Sequence, residues 1–183
     1  LEFRRVLFRS SDHLLFVLAL LIIVNSTRRL ITTITAFTIA HSITLGAATL
    51  GYVNIPQQPV EAVIALSILF LAVEIVHGQQ GRPGYAARWP WLVAFIFGLL
   101  HGFGFAGALA EIGLPQQAIP LALIFFNLGV EFGQLLFVLA AVFFTLMLHR
   151  LKLTILLNRA ETAVVYSIGG LSSFWLFERV SLF

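Results

Sequence analysis

The chain has 183 residues, of which 60% are hydrophobic and only 10% are charged, and its formal net charge is +3. A soluble domain carries about 25% charged residues, so this chain lacks the polar surface that a water-soluble globule needs. The composition therefore argues against a nucleic-acid-binding domain, and the absence of cysteine excludes disulfides and thiolate metal sites. We expect an integral membrane protein whose main partner is the lipid bilayer.

The first ten residues differ from those that follow, because Arg4, Arg5 and Arg9 are packed among apolar residues. The segment has no clear apolar core and no small-residue cleavage site, so it is a poor signal peptide. We expect residues 1–11 to be a leader foreign to the fold. Residues 12–183 are then predicted to form a single transmembrane helical domain with a truncated first helix.

Six apolar segments follow, several of which approach or exceed the roughly 20 residues that cross a hydrocarbon core about 30 Å thick. All six prolines lie in or beside the connections, where a missing backbone N–H costs least. The pattern predicts an all-α, polytopic bundle of about six membrane spans. The segments are roughly Asp12–Val24, Leu30–Leu50, Val60–Val76, Trp89–Ile112, Ala118–Leu148 and Thr162–Phe177.

Basic residues occur only in alternate connections between these segments. Alternate connections share one side of a membrane, and the positive-inside rule places the basic side in the cytoplasm. Both ends of the chain are therefore expected outside. The basic connection residues are Arg28, Arg29, Arg82, Arg88, Arg150, Lys152 and Arg159.

A few titratable side chains lie inside the predicted spans, where such groups usually mark function. At 1.5 Å per residue, His41 and His101 are about 18–20 Å from the inner edge, and Glu131 is about 16 Å from the outer edge. These depths match, and His13 is close enough to reach the same cavity. Three residues at i, i+4 and i+7 share one face of the fifth segment: Asn127, Glu131 and Gln134.

Three imidazoles, one or two carboxylates and no thiols suit a divalent transition metal such as nickel, cobalt, zinc or copper. Hydrogen-bonding neighbours would orient these ligands. A neutral histidine that joins two helices, or a protonated Glu131, would explain the same residues without a metal. The predicted ligands are Asp12, His13, His41, His101 and Glu131, and the predicted orienting residues are Ser42, Thr44, Asn127 and Gln134.

Glycines surround His101 in the stretch "FGLLHGFGFAGAL". Small residues let membrane helices approach closely, which would bring the imidazole within reach of a neighbouring helix. We predict that Gly98, Gly102 and Gly104 are packing or hinge points.

Six blocks in order resemble the HupE/UreJ family of hydrogenase and urease accessory proteins. The resemblance implies an inner-membrane helical protein with a proposed role in nickel or cobalt uptake or delivery. It places the polar motif positions of the family at Asp12, His13, His41, His101 and Glu131. Family members carry a further histidine ahead of the Asp–His pair, where this chain has "VLFRS". The blocks are "DHLLFVLALLI", "FTIAHSITL", "VEAVIALSILFLAVE", "FGLLHGFGFAGAL", "FFNLGVEFGQLLFV" and "SIGGLSSFWLFER".

Three functions stay open at this point. The first is uptake or delivery of nickel or cobalt for metalloenzyme maturation, with maturation proteins as partners. The second is an intramembrane zinc hydrolase, in which the metal would activate water. The third is a membrane protein that stores or senses metal without transport. We expect a transporter or accessory protein rather than an enzyme. The sequence has no nucleotide-binding motif, so transport would draw on an ion gradient, the membrane potential or a partner.

Overall fold

Helices make up every regular element in the described part of the chain. The computed structural model describes the backbone of residues 2–112 and 116–182 and the side chains of residues 11–107, 117–153 and 159–182. The predicted all-α fold is confirmed. The elements are α1 (Glu2–Ile23), α2 (Thr27–Thr49), α3 (Gln57–Gln79), the one-turn α4 (Tyr85–Arg88), α5 (Pro90–Ile112), a 3₁₀ turn (Gln116–Ala118), α6 (Ile119–Arg150) and α7 (Thr154–Val180).

The six long helices correspond to the six predicted apolar segments. Among the residues whose side chains the structure describes, four of these helices are long and apolar enough to cross a membrane: α2, α3, α5 and α6. The apolar part of α1 is shorter, Ser11–Ile23, and α7 carries charged residues near both ends. An arrangement of about six spans fits these helices. The backbone of α1 is helical from Glu2, upstream of the predicted boundary at residue 12, and the foreign leader stays a prediction.

Helices α2, α3 and α6 each end in a hydrogen-bonded turn of the same type. The residue after the cap has a positive φ in each case: 80° at Gly51, 79° at Gly81 and 56° at Lys152. Its amide and the next one bond back to carbonyls in the last helical turn, as in a Schellman motif. Lys152 lies in the short turn that separates α6 from α7. α7 begins at Thr154, upstream of the predicted apolar segment that starts at Thr162, and the stretch "TILLNRAE" contains no glycine or proline that would stop a helix.

An apolar core joins α1, α2, α3, α5 and α7, and α6 lies against α2 with most of its surface exposed. The helices α2 and α5 cross closely, because a Cβ added at Gly98 would lie 2.5 Å from the Phe37 carbonyl oxygen. A Cβ added at Gly104 would lie 2.5 Å from Ile64 Cδ1, so α5 also contacts α3. This packing fixes where α5 holds His101. The largest fully buried apolar side chains among the described residues are Phe16, Phe37, Leu20, Ile34, Leu45, Ile68, Leu71 and Ile168.

Candidate functional site

Three histidines from three helices meet inside the bundle. The ring centroid of His13 on α1 lies 5.2 Å from that of His41 on α2 and 4.8 Å from that of His101 on α5. Both contacts are edge to face, with interplanar angles of 85° and 80°. His41 and His101 are 0% exposed and His13 is 7% exposed. The structure therefore brings His13 into contact with both His41 and His101, the two histidines that the depth estimate placed at similar levels.

An amide on α6 orients His41. Asn127 Nδ2 donates to the Leu123 carbonyl at 2.8 Å, so its Oδ1 faces His41 Nδ1, 3.2 Å away. A carbonyl oxygen can only accept, which assigns the proton to Nδ1 and the lone pair to Nε2. His41 Nε2 is buried and has no hydrogen-bond partner within the described residues. Asn127 therefore has the contact expected of a residue that orients a metal-binding histidine.

A serine that the sequence analysis did not single out contacts His101. Ser67 on α3 is buried, and its Oγ lies 3.1 Å from His101 Nε2. The other ring nitrogen, Nδ1, is buried without a hydrogen-bond partner in the described part of the chain. A serine in an apolar segment carries little sequence signal, because its hydroxyl can also bond to the carbonyls of its own helix.

Phenylalanines enclose the histidine cluster. Phe37 packs against both His41 and His101, with centroid distances of 6.0 Å and 5.2 Å. Phe105 packs edge to face on His13 at 4.8 Å and on His41 at 5.6 Å. An apolar shell of this kind excludes water and lowers the local dielectric, so it strengthens any interaction between a cation and the ring nitrogens. The remaining rings of the shell are Phe16 and Phe126.

A buried ion pair lies beside the cluster. Arg179 near the end of α7 places Nη2 2.9 Å from Asp12 Oδ2, and its Nη1 donates to the Glu61 carbonyl at 2.8 Å. Arg179 is 8% exposed and its guanidinium lies 5.7 Å from the Trp175 ring centroid. Asp12, predicted as a metal ligand, is therefore charge-compensated by an arginine in this conformation.

A small cavity reaches His13 from the Asp12 side. Its volume is about 10 Å³, which is close to the space that one water molecule needs. The cavity is therefore large enough for a single small ion or water and too small for an organic substrate. Its lining consists of Asp12, His13, Glu61, Ile64, Gly104 and Phe105.

Polar side chains of α2 and α6 pair along the contact between these helices. Glu131 Oε1 accepts a hydrogen bond from Thr35 Oγ1 at 3.0 Å. Thr35 precedes His41 by six residues, so Glu131 lies about 9 Å along α2 from the level of that imidazole. Asn127, and not Glu131, is the α6 residue that forms a hydrogen bond with His41. The row of pairs consists of Thr35–Glu131, Thr38–Gln134 and His41–Asn127.

Two predicted orienting residues bond to their own helix. Ser42 Oγ donates to the Thr38 carbonyl at 2.6 Å, and Thr44 Oγ1 lies 3.3 Å from the Ala40 carbonyl. A Cβ at Gly102 would collide with the Thr44 hydroxyl, so Thr44 forms part of the close α2–α5 contact. The structure gives both hydroxyls local backbone partners on α2.

The cluster offers nitrogen ligands without forming a closed metal cage. Within the described residues, no group of three or more histidine, aspartate and glutamate side chains could hold a metal ion. His13 contacts each of the other two imidazoles edge to face, and the ring nitrogens of the described histidines do not meet at one metal position. Rotation of the rings about their side-chain bonds would be needed to bring two or three nitrogens to one ion.

Comparison with known proteins identifies a family. The family model described as HupE / UreJ protein matches residues 4–179, nearly the whole chain. No curated protein and no solved structure matches the chain. The match extends from α1 to the buried arginine of α7, and so includes every residue of the histidine cluster and of the ion pair.

Proposed function

This protein belongs to the HupE/UreJ family, and from that premise we propose that it binds a divalent transition metal at His13, His41 and His101. The family implies a membrane accessory protein for nickel or cobalt handling. Nickel is the proposed cargo, with cobalt as the second candidate. The proposed role is uptake or delivery of that ion for the maturation of a metalloenzyme.

The contact of His13 with both other imidazoles carries this proposal. The centroid distances of 5.2 Å and 4.8 Å support the proposal, because His13 lies close enough to both other rings for ring rotation to turn their nitrogens toward one ion. Neutral imidazole is a good ligand for nickel, zinc and copper. Buried polar atoms normally have partners, yet His41 Nε2 and His101 Nδ1 have none within the described residues. A bound cation would supply a partner for both.

The polar groups on either side of the cluster suggest a route for the ion. On the Asp12 side, the cavity beside Glu61 leads to His13. On the other side, the α2–α6 row leads from His41 toward Glu131. We propose that an ion enters from the outer face of an inner membrane and leaves along that row, with the basic loops in the cytoplasm. The energy would come from an ion gradient, the membrane potential or a partner protein.

Metal content of the purified protein tests the binding step. The full chain in detergent, incubated separately with nickel, cobalt, zinc and copper, is expected to retain about one ion per chain, measured by elemental mass spectrometry. His41→Ala and His101→Ala are each expected to weaken binding by more than the roughly 10–100-fold that loss of an outer-shell partner costs. Metal affinity is expected to fall because each variant removes one of the three proposed ligands.

Exposed histidines provide matched controls. His77→Ala and His149→Ala make the same change at the ends of α3 and α6, where both side chains are exposed. These variants are expected to bind metal as the unmodified chain does. Equal metal loss in all four variants, or no retained metal in the unmodified chain, would contradict the proposed site.

Uptake by sealed proteoliposomes separates transport from storage. Vesicles that contain the protein and a trapped metal-sensitive dye are expected to report nickel entry, and vesicles with His101→Ala are expected to report none. Binding without entry would instead favour a protein that stores or senses metal.

A further inference from the structure

We propose that Ser67 is a positioning residue that fixes the tautomer of His101, an inference that deepens the proposed metal site and rests on it. Ser67 lies on α3, a helix that contacts the cluster and supplies no histidine to it. Its side chain is 1% exposed and that of His101 is 0% exposed. Water therefore does not compete for the contact between Ser67 Oγ and His101 Nε2.

The single hydroxyl proton of Ser67 decides the direction of this hydrogen bond. Ser67 Oγ donates to the Ile64 carbonyl at 2.7 Å, and the distance to His101 Nε2 is 3.1 Å. The shorter contact takes the proton, because a hydroxyl has one proton to donate and two lone pairs to accept with. His101 Nε2 must then carry its own proton and donate it to Ser67 Oγ. The lone pair of the neutral ring is left on Nδ1.

The two fully buried histidines therefore carry their protons on opposite ring nitrogens. Asn127 holds the proton of His41 on Nδ1 and leaves Nε2 as the acceptor. Ser67 holds the proton of His101 on Nε2 and leaves Nδ1 as the acceptor. In both cases the partner is itself anchored to a carbonyl one turn back in its own helix. Hydrogen bonds to the far nitrogen commonly fix the tautomer and ring orientation of a metal-binding histidine.

The tautomer can be measured on metal-free protein. In the full chain labelled with ¹⁵N-histidine, the ring-nitrogen shifts are expected to show His101 protonated at Nε2. Ser67→Ala removes the acceptor and is expected to give a mixture of tautomers. Metal affinity is then expected to fall by about 10–100-fold. Ser67→Thr keeps a hydroxyl that can bond back to the helix, and it is expected to restore the single tautomer.

Ser172→Ala is the matched control. Ser172 is also fully buried, and its Oγ likewise donates to a carbonyl of its own helix, Ile168 at 2.7 Å. This variant is expected to leave both the His101 tautomer and the metal affinity unchanged. An Nδ1-protonated His101 in the unmodified chain, or an unaltered tautomer in Ser67→Ala, would overturn the inference. Absence of metal binding in the unmodified chain would instead count against the proposed function, since the tautomer signal does not depend on metal.

Discussion

Replacement of Arg179 by methionine is expected to destabilise the helical bundle by about 3–5 kcal/mol, the typical cost of removing one partner of a buried ion pair. The guanidinium bonds to the Asp12 carboxylate and to the Glu61 carbonyl, and so ties α7 to α1 and α3. Methionine keeps an unbranched apolar stem but cannot compensate the Asp12 charge in a site that is almost closed to solvent. Unfolding in detergent, followed by circular dichroism during titration with a denaturing surfactant, measures the loss.

Arg159→Met is the control for this prediction. It makes the same change on the same helix at an exposed side chain, where the expected effect is within about 0.5 kcal/mol. The double variant Asp12→Leu with Arg179→Met removes both charges. It is expected to recover much of the stability, because replacing a whole buried pair by apolar groups is often close to neutral. If Arg179→Met were as stable as the unmodified chain, or if the double variant were no more stable than Arg179→Met, the stabilising role of the ion pair would be contradicted.

The depth of the histidines could be predicted from sequence, because the rise per residue of a helix is constant. Counting residues from the basic loops placed His41 and His101 at similar levels, and the structure brings their rings to His13. Glu131 shows the limit of that method. Its depth was counted from Pro120, and a difference of one helical turn in that origin is about 5.4 Å. The structure places Asn127, one turn earlier, at His41.

The partners of these residues could not be predicted, because they depend on how each helix is rotated and which helices are neighbours. An arginine at the end of an apolar segment is typical of a side chain that reaches the membrane interface. Arg179 is instead buried, since α7 lies against the helices that carry Asp12 and Glu61. The sequence likewise gives no indication of a role for Ser67, because its contact with His101 depends on how α3 packs against α5.

Because α2 and α5 cross closely, we expect a substitution at their contact to lower stability. Gly102→Ala is expected to lower stability by about 1–3 kcal/mol, the usual cost of overpacking. The added Cβ would collide with the Thr44 hydroxyl and the His41 carbonyl and lie 3.0 Å from the Leu45 amide. Two of these three contacts are backbone atoms, so the helices themselves must separate. Thermal unfolding in detergent measures the effect.

Gly46→Ala is the matched control, because it makes the same change on α2 where an added Cβ meets nothing within 4 Å. It is expected to be neutral or stabilising by up to about 1 kcal/mol, the helix-propensity difference between the two residues. Separation of α5 from α2 also moves His101 away from His41. Gly102→Ala should therefore weaken metal binding while Gly46→Ala leaves it intact. Equal stability and equal metal affinity in the two variants would show that the crossing does not position the histidines.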